Sequence, residues 1–278
     1  MGDTITTFPK KAFSMGLAAL VLSVCGLVSQ SEAQIITLTD KNSTAQIDTA
    51  SQSGMFNWFV DGNDQLAQQW FWFRVGGSGP ESSINTISAP IIGTNSAKTL
   101  FLMYTNSQFS VEVDFLLNGS APGSGKSDMA ESMTINNTSG AALSFHFFQY
   151  SDFDLAGANS VLLSTNQSGL INQVDQQSPG INLQEAVVTP GANHGEAGLF
   201  PTTLNKLNDG IPSTLNDNFS AGPGDGTWAL EWDLNIPTGQ SVLISEDKRL
   251  DLIPEPSTVI LVLWGLITLG LRKRRRSA

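Results

Sequence analysis

Apolar residues along this chain fall in short runs separated by Gly, Asn, Ser, Thr and Pro, without the three-to-four spacing of amphipathic helices. Ten runs predict strands: Met55–Val60, Gln69–Val75, Thr99–Tyr104, Phe109–Leu117, Glu131–Asn136, Ala142–Tyr150, Val161–Ser164, Ile181–Val188, Trp228–Ile236 and Ser241–Ser245. Alternation is clearest where Phe109, Val111, Val113 and Phe115 share one face and Ser110, Glu112 and Asp114 the other. The runs Glu131–Asn136 and Ala142–Tyr150, joined by Asn137-Thr138-Ser139-Gly140, predict a hairpin. The less regular segment Gly191–Gly226 predicts long loops, and no stretch of the body predicts a helix. No repeat at fixed period is present, which argues against a propeller or solenoid. The expected fold is all-β: a two-sheet antiparallel β-sandwich over residues 34–253 with one core.

Both ends carry a different pattern. Lys10 and Lys11 precede the apolar stretch Ala12–Val28, and Ser31-Glu32-Ala33 supplies a small-x-small site for cleavage between Ala33 and Gln34. Residues 1–33 therefore predict a signal-peptide helix; a retained N-terminal anchor is the alternative. The only cysteine, Cys25, would leave with it, so the mature body would contain no disulfide, thiol nucleophile or thiolate metal site.

At the other end, Ser257–Leu271 is an uncharged apolar run of fifteen residues followed by Arg272, Lys273, Arg274, Arg275 and Arg276. As a helix it would span roughly 22 Å, shorter than a hydrocarbon core of about 30 Å. It predicts a single transmembrane helix whose basic tail, 272–276, stops translocation and stays cytoplasmic, placing the body outside. Pro254, Glu255 and Pro256 hold the preceding chain extended and accessible at the membrane surface.

Ile253-Pro254-Glu255-Pro256-Ser257-Thr258, the short apolar helix and the basic end together resemble the PEP-CTERM sorting signal of exported bacterial proteins, here over residues 254–278. The resemblance implies export through the translocon, transient anchoring, and cutting near Pro254–Pro256 by an exosortase, a membrane cysteine transpeptidase. The body would then reach the cell surface or an extracellular polymer matrix. The body also resembles other PEP-CTERM proteins of unassigned function, most closely in Trp58–Val75 and Glu131–Leu155.

Charge sharpens once the ends are set aside. The whole chain has 25 acids against 14 bases, a net charge of −11. Without Asp3, Glu32, Lys10, Lys11 and the five bases after residue 271, 23 acids and 7 bases remain, a net charge of −16. Such a surface repels phosphate backbones, so nucleic acid is not an expected partner.

Few constellations carry chemistry. Asp152 and Asp154 share a face if the chain stays extended, as do Glu112 and Asp114, and Asp61-Gly-Asn-Asp64 puts two acids in a turn. These could be solvated faces and turns or weak calcium ligands, Asp152 and Asp154 being the calcium candidates; no EF-hand or β-roll repeat is present, and no cofactor is expected. His146 lies between Phe145 and Phe147 and suggests a structural histidine, whereas His194 in Gly191-Ala-Asn-His-Gly-Glu196 could meet Glu196 in a loop. There is neither a His-Glu-x-x-His nor a Gly-x-Ser-x-Gly motif. Gly123-Ser-Gly-Lys-Ser127 ends like a phosphate loop, but Gly119 is one residue too far upstream, which leaves a flexible loop. Trp58, Trp70, Trp72, Trp228 and Trp232 suit core strands; on an exposed face they would instead stack on sugars.

These observations predict a non-enzymatic surface or matrix protein of structural or interaction type, with no catalytic residues. The alternative is a carbohydrate-binding or glycan-processing β-sandwich delivered by the same address, with extracellular polysaccharide as partner. An exposed tryptophan row, or two carboxylates across a cleft about 5–9 Å apart, would favour the alternative.

Overall fold

The computed structural model describes residues 34–252; the expected signal peptide, the Pro-Glu-Pro segment, the apolar helix and the basic tail lie outside the described residues. Within them no helix is long and apolar enough to cross a membrane. The chain forms β1 (Ile35–Asp40), β2 (Ser43–Asp48), β3 (Gly54–Val60), β4 (Asn63–Asp64), β5 (Gln68–Val75), β6 (Ser82–Ser83), β7 (Ile91–Ser96), β8 (Thr99–Thr105) and β9 (Phe109–Gly119). There follow β10 (Lys126–Asn137), β11 (Leu143–Asp152), β12 (Asn159–Thr165), β13 (Ile171–Ser178), β14 (Ile181–Thr189), β15 (His194–Leu199), α1 (Thr202–Asn208), β16 (Ser220–Gly224), β17 (Gly226–Ile236) and β18 (Ser241–Leu252).

Two sheets result. The first runs β1-β2-β3-β5-β11-β17-β15, with β4 on β3 and β6 on β5; the second runs β16-β12-β13-β14-β18-β10-β9-β8-β7. Every pairing between these strands is antiparallel except β3 with β5. All ten predicted runs lie on strands, and the all-β two-sheet architecture is as expected.

Two local expectations are corrected. The predicted hairpin does not form, because β10 pairs with β9 and β18 while β11 pairs with β5 and β17. The Asn137–Ala142 connection crosses between sheets. Asn137 fixes this crossing: its Nδ2 donates to Ala141 O (2.8 Å) and Ile236 O (2.7 Å), while its Oδ1 accepts from Ser139 N–H (2.9 Å). The segment Gly191–Gly226 is not all loop; it contains β15, α1 and β16. Strand β15 hides in the sequence because its core position is glycine. A Cβ on Gly195 would stand 2.4 Å from Ile171 Cδ1 and 2.6 Å from Leu163 Cδ2, so no larger residue fits where the second sheet comes closest.

Between the sheets the alternating residues of both inner faces interlock. Phe71 stacks on Phe147 (ring centroids 5.6 Å apart), Phe73 on Phe145 (5.9 Å), and Phe153 on Trp228 (5.6 Å). Phe109 and Phe115 of the second sheet meet this ladder at 5.1 Å from Phe145 and 6.4 Å from Phe71. All five tryptophans of the body are fully buried, so they are core as expected and form no exposed sugar-stacking row.

The core also holds charge. Lys248 Nζ lies 3.0 Å from Glu131 Oε2, 3.3 Å from Glu246 Oε2 and 3.7 Å from Glu185 Oε1, and all four side chains are buried. Burial pushes the Glu131 and Glu246 carboxyls up, against the pull of Lys248. Burial also opposes the charge on Lys248, but the three carboxyl groups outweigh it and the net shift is upward. Replacing Lys248 by Met strips the cation from three buried acids and should cost about 3–5 kcal/mol in urea unfolding at neutral pH. Lys126→Met, whose partner Asp251 shares a largely exposed pair, should change stability by at most about 1 kcal/mol in the same titration.

Candidate functional site

Strand alternation puts a polar cluster on the face of the first sheet that points away from the core. On β11, Phe145 and Phe147 face inward, so His146 between them must face outward; on β17, Trp232 faces inward and Glu231 and Asp233 outward. Register then aligns Arg74, His146 and Asp233 across β5, β11 and β17, and Trp72, Phe148, Glu231 and His194 one row along.

This face is largely covered. In β5, Gln69–Trp72 and Arg74 are all buried, although successive residues point to opposite sides. The cover is the segment from α1 to β16. Asn208 Oδ1 accepts from Trp72 Nε1 (3.3 Å), Ser213 O accepts from Arg74 Nη2 (3.0 Å), and Leu215 N–H donates to Glu231 Oε2 (2.9 Å). Asn216 N–H donates to Glu196 Oε2 (2.9 Å), which also pairs with Lys206. Where this cover stops, the two histidines are open.

The geometry there is a chain of acids and imidazoles. His146 Nδ1 lies 2.5 Å from Asp233 Oδ1 and 3.6 Å from Glu231 Oε1. His194 Nδ1 lies 3.0 Å from Asp217 Oδ2, and its Nε2 lies 3.6 Å from Asp233 Oδ2. Asp217 is held at φ 55° and also accepts from Gly195 N–H at 3.2 Å. Arg74 donates from Nε to Glu81 Oε1 (3.0 Å) and stands 3.8 Å from Glu231 Oε1, a buried atom with no hydrogen-bond donor. Exposure grades outward: Glu231 is 0% exposed, the His146 side chain 18%, and Asp233 37%.

Burial, aided by the charge of Asp233, pushes Glu231 up to about 7 against Leu215 N–H, His194 and Arg74. Burial works against a charged His194, but the hydrogen bond and charge of Asp217, with Glu231 and Asp233, more than compensate and raise it. His146, Glu231 and Asp233 could each offer one metal-ligand atom within 4.8 Å of the others. Arg74 already supplies a cation to Glu231, however, and His146 is committed to Asp233, so the arrangement suits proton transfer better than metal binding.

The sequence expectations fare unevenly. His146 faces outward, its apolar neighbours belonging to the opposite face, and its Nδ1 is bound to Asp233. His194 and Glu196 do share a face of β15, but each has another partner, Asp217 and Lys206. No sequence motif marks Asp217, Asp233, Glu231 or Arg74; the Phe-His-Phe and Glu-Trp-Asp alternations at 145–147 and 231–233 are the signal the chain offers. The Gly123–Ser127 loop is pinned rather than free: Asp61 takes hydrogen bonds from Gly123 N–H (2.6 Å) and Gly125 N–H (2.8 Å), which lower its pKa. Asp64 caps Trp58 N–H at 3.0 Å. Glu112 and Asp114 lie on the outer face of the second sheet, where Glu112 accepts from Asn136 at 2.9 Å. Asp152 and Asp154 do come together, joined by Asp225.

No family model and no curated protein matches this chain. Solved structures do. A protein of Escherichia coli K12 named as an aldose 1-epimerase aligns with a TM-score of 0.53 at 11% identity, covering 79% of this chain and 99% of its own. A galactose mutarotase-like protein of Lactobacillus casei ATCC 334 aligns with a TM-score of 0.51 at 8% identity, covering 78% and 100%. A Synechocystis sp. PCC 6803 protein gives 0.50 at 9% identity, covering 80% and 96%. The sandwich is thus of the form found in aldose-epimerase-like proteins. This corrects the expectation of a body without enzymatic character, since the matching folds are named for an enzymatic activity.

A raised carboxyl contributes stability that is fully present below its unfolded pKa and lost as pH rises through its folded one. For Glu231 that window runs from 4.5 to about 7. Glu231→Gln should flatten the fall in stability across this range, by an amount on the order of 2–3 kcal/mol, measured as urea midpoints at pH 5 and pH 7.5.

Proposed function

We propose that the body is a carbohydrate-processing domain that moves protons at the anomeric centre of an aldose, using the open end of the His146–Asp233–His194 chain. The single observation that carries this reading is two imidazoles bracketing one carboxylate on the outer face of the first sheet. The fold likeness to proteins named as aldose 1-epimerase and galactose mutarotase-like supports it.

Interconverting the anomers of a cyclic sugar needs one proton removed and one delivered. A base takes the proton of the C1 hydroxyl, C1 becomes an aldehyde as its bond to the ring oxygen breaks, and that oxygen takes a proton from an acid. Rotation about C1–C2 and the reverse steps close the other anomer. His194, whose carboxylate neighbours favour its charged form, is the acid. His146, with Nδ1 turned to Asp233, presents its other nitrogen as the acceptor, and Asp233 steadies the imidazolium. Glu231 and Arg74 beneath set the local charge and the position of His146.

The purified protein should speed the optical-rotation decay of freshly dissolved α-D-glucose or α-D-galactose beyond the buffer rate. His146→Ala and His194→Ala should each lower this at least about 100-fold, within the usual range for a proton-transfer group. The rate should fall on the alkaline side as His194 gives up its proton, and Asp217→Asn should move that limb to lower pH. Equilibration at the buffer rate across a panel of aldoses would refute the reading.

Export completes the proposal. The Lys10–Ala33 and Pro254–Arg276 segments support delivery of the body to the cell surface or matrix by an exosortase. Intact-mass analysis of the exported protein should show Gln34 as the first residue and a species lacking Arg272–Arg276. Retention of those five residues would make it a single-span membrane protein instead.

A further inference from the structure

We propose that Asp152, Asp154 and Asp225 form a calcium site at the end of the first sheet, separate from the histidine cluster. The fold brings them together from distant stretches of sequence. Antiparallel pairing sets Asp152, the last residue of β11, opposite Thr227 near the start of β17. Asp154 follows directly on one side, and Asp225 precedes β17 on the other.

Three observations give the site its chemistry. Each aspartate can present a carboxylate oxygen no more than 4.8 Å from the others. Oxygens within that limit can share an ion held at about 2.4 Å, a calcium distance, whereas magnesium demands a near-ideal octahedron at about 2.1 Å. Asp152 is only 4% exposed, and its Oδ1 has no hydrogen-bond partner. Its Oδ2 receives only the Tyr150 hydroxyl, at 3.3 Å. A buried carboxylate oxygen without a donor is costly unless something positive meets it. Among the described residues no lysine, arginine or histidine forms an ion pair with any of the three.

The outer side is open. Asp154 and Asp225 line a cavity of about 420 Å³ with Gly157, Asn159 and Gly224, room for the waters that complete a six- to eight-fold oxygen shell. Three hard carboxylates without sulfur or imidazole favour calcium over softer metals. Bound there, the ion would tie the end of β11 to the start of β17, two adjacent strands of the first sheet.

The test is calorimetric and thermal titration of the exported protein, freed of divalent ions with a chelator, against calcium chloride. A dissociation constant of about 0.1–1 mM is expected, as for extracellular calcium modules, with a rise in Tm and weaker binding of magnesium chloride. Asp154→Asn and Asp225→Asn, both at exposed positions, should each weaken binding at least about 10-fold while leaving the calcium-free Tm and far-ultraviolet spectrum near those of the parent. The absence of both binding heat and a Tm shift up to about 10 mM calcium would overturn the proposal. So would unchanged binding in both variants, which would put the ion elsewhere.

Discussion

The arrangement on which the sandwich depends is a lysine buried with three glutamates. Lys248, Glu131, Glu185 and Glu246 all project from the second sheet into the core. Two side chains of the first sheet add donors to this group: Gln69 Nε2 donates to Glu131 Oε2 (2.9 Å) and Trp228 Nε1 to Glu185 Oε2 (3.0 Å). An apolar core tolerates sliding of one sheet over another with modest loss, whereas a buried carboxyl does not tolerate the loss of its donor. The polar centre thus fixes which residues of the two sheets face each other. A one-residue slip of β17 would withdraw Trp228 from Glu185 and turn Glu231 into the core.

That register determines the outer face as well. Because Trp228 and Trp232 are held inward, Glu231 and Asp233 have only one direction left, toward His146 and His194. The cover from α1 to β16 then separates the cluster into a dry and an open half. Leu215 N–H and Ser213 O bond Glu231 Oε2 and Arg74 beneath the cover, and His194 and Asp217 stand at its edge. Burial pushes Glu231 up to about 7, while the carboxylates of Asp217, Glu231 and Asp233 raise His194 against its own burial, so two neighbouring groups on one short stretch of sheet are shifted by different causes.

Much of this was legible in sequence, for a physical reason. Period-two alternation identifies a strand whenever both of its faces differ in polarity, which is why Phe109–Phe115 and the ten predicted runs lie on strands. It fails where the core position is occupied by nothing. Strand β15 carries Gly195 inward because Ile171 and Leu163 leave no space, and so its pattern resembled a loop. Turn chemistry likewise identifies a reversal but not the partner reached afterwards. Asn137-Thr138-Ser139-Gly140 does reverse the chain, yet the side chain of Asn137 is bound to Ile236 O, across a sheet boundary that local spacing cannot encode. His146 shows the same limit: flanking phenylalanines reveal an apolar face, and the opposite face becomes meaningful only once Asp233, 87 residues away, is placed beside it.

The acidic character of the chain takes on a different meaning once positions are known. Several acids that look like a uniform solvated excess are in fact engaged: Asp61 by two backbone N–H groups, Glu196 by Lys206, Glu81 by Arg74, and three glutamates by Lys248. Basic residues are scarce in the body, and the buried ones are spent on these internal contacts. Carboxylates that remain close together without a base, such as Asp152, Asp154 and Asp225, therefore stand apart from the general surface. Net charge alone implied only repulsion from anions. The distribution argues for two separate chemistries on one sheet: proton exchange where acids meet histidine, and cation capture where acids meet only each other.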